Sequence, residues 1–381
     1  MTLARGGDLA LMMTGGGARA AYQVGLLRCI ARHWPTVPIP ILTGISAGAI
    51  NATFLAAQTG DFPTKVEQLS KLWRGLTVDQ VFRVDTRSLV RNALRLMFRL
   101  VSGGALHAPR PHALVDTWPL RTLLERELGV TDGTIPGIAE NLRRRALKAL
   151  AITTSSYSTG QSITWVQGRD VTLWERAQRK SVGCDLGVSH VMASSSLPLF
   201  FPAVEIDGRW YGDGGVRLTA PLSPAVNLGA GRILAVSTRY VRSRGEAERP
   251  VVSGYPPPAQ IMGVVFNAVF LDLFEADALA LERISELAAR LPEESRGRMR
   301  PVRLLTMRPS RDLGKLANDY EAKLPRTFRF FTRGLGTRET RSNDVLSLLM
   351  FQPDYLSAMI ELGEADAEAR KDEIGEFLTG G

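Results

Sequence analysis

Two short apolar runs, Leu9–Thr14 and Ile39–Leu42, each lead into glycine-bearing turns, and each turn opens onto a stretch with helical character. This pair of strand–glycine–helix junctions narrows the possible folds more than any other feature of the 381-residue chain. A buried strand that turns at once into a helix leaves almost no room for side chains at the turn. After the first junction Tyr22, Leu26, Cys29 and Ile30 recur at helical intervals within Ala18–Ala31. After the second, Ala47–Gln58 is alanine-rich and helix-compatible. Continuously apolar strands alternating with helices specify an α/β protein whose central sheet is mainly parallel and covered by helices on both faces.

The remaining punctuation sets the expected organisation. Strands are expected at Ala149–Ser155, Ser162–Gln167, Ile233–Ser237 and Val302–Met307, with a hairpin over Val204–Tyr211 that turns at Asp207-Gly208. Residues 61–146 read as a mainly helical insertion into a catalytic domain of residues 1–240. Residues 241–381 read as a mainly helical part packed on the same domain, with a helix from about Ala259 to Ala289. The uncharged stretches Trp34–Gly60 and Pro250–Leu271 are interrupted by proline, so neither offers the ~20 helical residues that cross a bilayer. The run Leu9–Met13 is too short for a signal peptide and leads into glycines. Cys29 and Cys184 lie in apolar surroundings, as free thiols of a reducing compartment do. A cytoplasmic protein, soluble or peripherally attached to a membrane, is expected.

The chemistry concentrates at three glycine clusters. Gly44-Ile45-Ser46-Ala47-Gly48 is a G-x-S-x-G sequence at a strand-to-helix junction. A turn this sharp exposes the serine hydroxyl and sets it at a helix N-terminus, which favours negative charge. Gly15-Gly16-Gly17-Ala18-Arg19 occupies the other junction, where bare backbone turns several N–H groups toward one point. That suits an oxyanion hole, in which a single donor is worth about 3 kcal/mol of transition-state stabilisation. Arg19 is placed either to orient the loop or to meet a phosphate. A dinucleotide-binding reading of Gly15-x-Gly17-x-x-Ala20, and with it a nucleotide-dependent oxidoreductase, requires an acid about 20 residues on to hold the ribose. No Asp or Glu occurs between Asp8 and Asp61, which counts against it.

The base is less obvious. Among the four histidines, His33 sits near a helix end, His107 and His112 lie in a proline-flanked loop, and His190 has no persuasive acid partner. Gly212-Asp213-Gly214-Gly215 follows directly on the hairpin strand, so Asp213 stands at a strand end with pliant backbone beside it. A carboxylate within reach of a serine hydroxyl serves as general base, the more so if desolvated. A plain turn at Asp213 is the competing reading.

Taken in order, the glycine loop, the G-x-S-x-G and the Asp-Gly-Gly resemble the patatin-like phospholipases over roughly Leu9 to Ser237. Ser194-Ser195-Ser196-Leu197-Pro198 and Phe201-Pro202 resemble the family's segment ahead of its aspartate. Two departures are Ala20, where many members carry glycine, and Thr219, near where members often carry Asn. The resemblance implies a patatin-like three-layer fold and a Ser46–Asp213 dyad. In it the Gly15–Arg19 loop is the oxyanion hole, Gly44 and Gly48 shape the nucleophile elbow, and Gly214 and Gly215 complete the aspartate motif. It further implies cleavage of phospholipid or other acyl-ester lipid through an acyl-serine, with neither metal nor cofactor. A non-catalytic lipid-binding protein that retains the fold is the alternative.

A net charge of +9 favours anionic partners. The signatures of nucleic-acid modules are missing from the sequence, so an acidic membrane surface is the expected partner rather than nucleic acid. Arg87, Arg91, Arg95 and Arg99 recur every four residues beside a broad apolar face. That pattern fits a membrane-contacting amphipathic helix and equally an ordinary surface helix.

Overall fold

The structure is a computed structural model that describes residues 7–83, 115–198, 200–248, 252, 254–270, 272–297, 299–324, 328–329, 333 and 343–380. The arginine stripe at Arg87–Arg99, together with His107 and His112, lies outside the described residues.

Ten strands form one sheet: β1 Asp8–Met13, β2 Ile41–Ile45, β3 Ala149–Ser156, β4 Ser162–Gly168, β5 Glu175–Arg176, β6 Arg179–Gly183, β7 Val204–Ile206, β8 Arg209–Asp213, β9 Ala230–Val236 and β10 Arg303–Met307. The spatial order β10-β9-β1-β2-β3-β4-β6-β5 has a parallel half from β10 to β3 and a mixed half beyond it. Within the parallel half β1, β2 and β3 are buried on both faces, whereas the edge strand β10 is partly exposed. Along β1, Leu9, Leu11 and Met13 pack into one hydrophobic layer while Ala10 and Met12 enter the other. This two-sided burial is why these strands read as unbroken apolar runs. Helices α1 (Ala21–His33), α2 (Ala47–Ala57) and α3 (Phe62–Gly75) follow the first two strands, with a 3-10 turn, Gly17–Ala20, leading into α1.

The hairpin turns where expected. Asp207 and Gly208 have φ of 50° and 72°, the doubly positive pair of a two-residue turn that matches strand twist. Over the span expected to be helical, about Ala259–Ala289, the described residues Pro258–Phe270 and Asp272–Arg290 are helical. Strands β5 and β6 escape the sequence reading because they are short, charged and only partly buried at a sheet edge, so they carry no apolar run. From the C-terminal third, β10 pairs in parallel with β9, and Pro353–Ala369 packs along α1. That helix contact is backbone against backbone: a Cβ on Gly25 would sit 1.8 Å from the Ile360 carbonyl oxygen, and one on Gly363 would sit 2.0 Å from that of Tyr22.

Candidate active site

The sheet register alone brings residues 46 and 213 together. Strand β2 runs beside β3 as far as the pair Ile45–Thr153, and there the chain leaves the sheet at Ser46. The other edge of β3 is taken by β4 along its whole length. The place vacated by β2 is therefore filled by β8, and its first pair is Thr154–Asp213. Two residues 167 positions apart (213 − 46) thus occupy successive places along one edge of β3.

Ser46 has φ 54° and ψ −130°, a conformation that costs a residue with a side chain about 1–3 kcal/mol. The surroundings hold it there. Its backbone N–H donates to Ser194 Oγ (3.0 Å), whose own hydroxyl donates to the Thr153 carbonyl (2.7 Å). Its carbonyl accepts from the Ser195 hydroxyl (3.1 Å) and from the Ala49 N–H (2.9 Å). Gly44 and Gly48 are required by contact: a Cβ on Gly44 would lie 2.5 Å from the Gly48 carbonyl oxygen, and one on Gly48 would lie 2.3 Å from that of Met13. Such distances admit no side chain, which is the steric condition of the elbow.

Asp213 is completely buried. Its N–H donates to the Ser196 carbonyl (3.0 Å), and its Oδ1 accepts from the Gly215 N–H (2.9 Å). The run Ser194–Ser196 therefore bonds to Ser46 with its first two hydroxyls and to Asp213 with its third carbonyl. It clamps both residues to one short segment. Burial pushes the Asp213 carboxyl up to about 7, against the opposing pull of the Ser46 hydroxyl and the Gly215 N–H. The hydroxyl is near enough to act on the carboxyl, yet Oδ2 completes no hydrogen bond of proper length and angle with any described residue. Gly214 approaches as closely as the elbow glycines, since a Cβ on it would lie 2.1 Å from the Thr153 carbonyl oxygen.

The glycine loop closes the third side. A Cβ on Gly15 would meet Ser46 Cβ at 2.9 Å, and Gly16 and Gly17 line the same small cavity as Ser46 and Asp213. Ala18 is fully buried. Arg19 turns away: its guanidinium bonds to Ser347 Oγ (2.6 Å) and to the carboxylate of Asp344 (2.6 Å), which also accepts from Asn267 (2.7 Å). Of the two roles the sequence left open to Arg19, the geometry matches orienting the loop. Arg19 anchors it to the helix Asp344–Leu349.

The remaining cavity wall is mainly apolar, with Leu197, Phe201, Phe266, Leu348, Leu349 and Phe351 in it beside Ser195 and Asn267. The cavity measures about 40 Å³, room for a few water molecules rather than an acyl chain. Sequence reasoning quoted Ser194–Ser196 only for its likeness to a family segment, and its clamping role depends on contacts across some 150 positions. The contributions of Phe266, Asn267 and Leu348–Phe351 carry no sequence signal at all.

Neither described histidine lines this cavity. His190 meets Trp165 edge-to-face (4.8 Å between centroids), accepts from the Gly187 N–H, and is held below its ordinary pKa by burial. His33 Nε2 lies 2.8 Å from Glu368 Oε2, and Cys29 Sγ lies 3.5 Å from the same oxygen. Cys29, His33 and Glu368 thus gather three metal-ligand atoms within 4.8 Å of one another, a cluster the sequence reading did not find. It lies at the end of α1 remote from the glycine loop. Both cysteines are free; Cys29 is buried and Cys184 only partly so.

A central mixed sheet flanked by helices, with Ser46 and the Gly15–Gly17 loop at one end of its parallel half, defines an α/β protein. A family model described as patatin-like phospholipase matches residues 11–226, more than half of the chain, and the chain belongs to that family. This is a family of lipid acyl hydrolases. Among solved structures, the chain is similar to VipD from Legionella pneumophila (TM-score 0.41, 11% identity, covering 97% of this chain and 67% of that one). It is likewise similar to the type III effector ExoU of Pseudomonas aeruginosa (0.39, 12%, 96% and 53%). Human GIVD cytosolic phospholipase A2 in complex with methyl γ-linolenyl fluorophosphonate gives 0.44, 12%, 98% and 58%. The chain thus spans between about half and two thirds of those chains. No curated protein matches.

Proposed function

We propose that this protein cleaves fatty acyl esters of lipids through an acyl-serine intermediate, with Ser46 as nucleophile and Asp213 as its base. The observation that carries this reading is the placement of a strained serine and a fully buried carboxylate at successive positions beside β3, around one apolar cavity. Asp213 takes the Ser46 proton as Oγ attacks the ester carbonyl. The negative charge that forms on the carbonyl oxygen faces the Gly15–Ala18 backbone and the N-terminus of α2. Collapse expels the alcohol, which receives the proton from Asp213. Water then attacks the acyl-serine, gives its proton to Asp213, and releases the fatty acid and the free serine. A carboxyl near 7 suits both halves of this cycle, since it accepts and returns a proton at neutral pH. The apolar wall of Leu197, Phe201, Phe266, Leu348, Leu349 and Phe351 matches an acyl chain.

A long-chain fluorophosphonate tests the assignment. The wild-type protein is expected to label at Ser46 and to release fatty acid from a panel of phospholipid, lysophospholipid, triacylglycerol and thioester, while Ser46→Ala does neither. A folded wild-type protein that never labels would instead be a lipid-binding member of the family.

A further inference from the structure

The helix Pro258–Phe270 has thirteen residues and no charge, and its outward stripe is as apolar as its inward one. Ala259 and Gly263 are buried, and Met262 and Phe266 pack against the core. On the opposite side Ile261, Val264 and Val265 are 45%, 58% and 52% exposed, and Pro258 and Ala268 extend the stripe at helical spacing. A surface helix in water alternates an apolar face with a polar one, whereas a helix that is apolar all round belongs inside protein or lipid. The following helix, Asp272–Arg290, shows the ordinary case. Its exposed Leu279, Ile284 and Leu287 are scattered among Glu282, Arg283 and Glu286, and single exposed apolar residues of that sort need no partner.

We infer that the stripe Ile261–Val264–Val265 is the surface by which this protein docks on a lipid bilayer, an inference that rests on the lipid-hydrolase reading above. Two observations choose a bilayer over other occupants. The first is continuity with the cavity. Asn267 lines the cavity that holds Ser46 and Asp213 and, together with Val264, a second cavity beside it, so one edge of the stripe adjoins the nucleophile's cavity. The second is charge. Val264 also lines a polar cavity of about 340 Å³ whose Arg239 and Arg242 pair with Asp272 and Asp312, so the attraction to anionic lipid comes from the chain's net charge of +9. Tyr255, 90% exposed just before the helix, supplies the amphipathic ring that favours the headgroup layer. No described helix is long and apolar enough to cross a membrane, so the helix lies in the interface.

Cosedimentation with vesicles of phosphatidylcholine containing phosphatidylglycerol tests the surface. The Ser46→Ala full-length chain serves as host, so that the lipid stays intact. The host is expected to partition onto the vesicles, more strongly with the anionic lipid and less so as salt rises. Combined Ile261→Asp, Val264→Asp and Val265→Asp substitutions should weaken partition by ~1,000-fold, at about tenfold per buried side chain. In the wild-type background the same triple variant should turn over a monomeric short-chain ester within twofold of the parent. Leu279→Asp with Leu287→Asp should leave partition unchanged. A single apolar replacement, Val265→Trp, keeps the test open should the triple variant misfold: its fluorescence should shift to the blue on adding vesicles. A host that stays in the supernatant overturns the inference. So does a triple variant that partitions normally, or sedimentation velocity showing a dimer that the triple variant dissolves. Partition without hydrolysis of any lipid by the wild-type protein leaves the docking surface standing and removes the hydrolase reading instead.

Discussion

Replacing Asp213 by Asn gives the most demanding test of the site, because it should stabilise the fold while abolishing the chemistry. The carboxyl is raised from its ordinary 3.8 to about 7 by burial. Its folded form therefore binds a proton more tightly than its unfolded form, and stability falls as pH rises wherever the folded state holds more protons. Below about pH 4 both forms are protonated and the penalty vanishes. Between about 4 and 7 it grows by up to about 1.4 kcal/mol per pH unit, and above 7 it is complete at roughly 4 kcal/mol. Asn keeps the shape and leaves an oxygen to accept from the Gly215 N–H, but it cannot ionise. Urea denaturation of both proteins from pH 4 to 8 isolates this contribution, because every other titrating group is common to the two. The variant should gain on the wild type progressively through that window and lead by about 3–4 kcal/mol at pH 8. The wild-type kcat/KM for a soluble ester should rise through about pH 7 as the base form appears, whereas the variant stays inactive throughout. Stability curves that run parallel from pH 4 to 8 would refute the reasoning, since they would mean that Asp213 ionises in the folded protein as easily as in the unfolded one.

Two further outcomes follow from the contacts around the site. Ser194→Ala leaves the Ser46 N–H and the Thr153 carbonyl without their shared partner, so chemical denaturation should show a loss of about 1–3 kcal/mol, and kcat should fall more than KM changes. Asp344→Ala strands the buried Arg19 guanidinium, and denaturation should register a loss of about 3–5 kcal/mol that Asp344→Asn recovers only in part.

The parts of the site legible in the sequence are those dictated by backbone sterics. Gly44, Gly48 and Gly214 are visible as glycines because neighbouring carbonyl oxygens leave no space for a Cβ, and that requirement is local. The inner parallel strands were legible for a related reason, since burial on both faces leaves their centres largely apolar, as in Leu9–Met13. The Asp207-Gly208 turn is equally local, as two positive φ values select its residue types. What escaped was long-range or polar. Strands β5 and β6 have the composition of a loop and are strands only because β4 offers an edge. Arg19 was left open between orienting the loop and meeting a phosphate because its partner Asp344 lies 325 positions away. The extent of burial at Asp213, which sets its acidity, follows from Ser194–Ser196 and the sheet packing around it and from nothing in the Asp-Gly-Gly itself.

The shared edge of β3 also bears on how such a chain tolerates change. Because β2 and β8 hand over to one another on a single strand, everything between Ser46 and Asp213 is, in polymer terms, a closed loop pinned at both ends. Lengthening a loop costs entropy only logarithmically, about 0.6 kcal/mol for each doubling. Surface loops within that span can therefore change length at small entropic cost while Ser46 and Asp213 keep their spacing on β3.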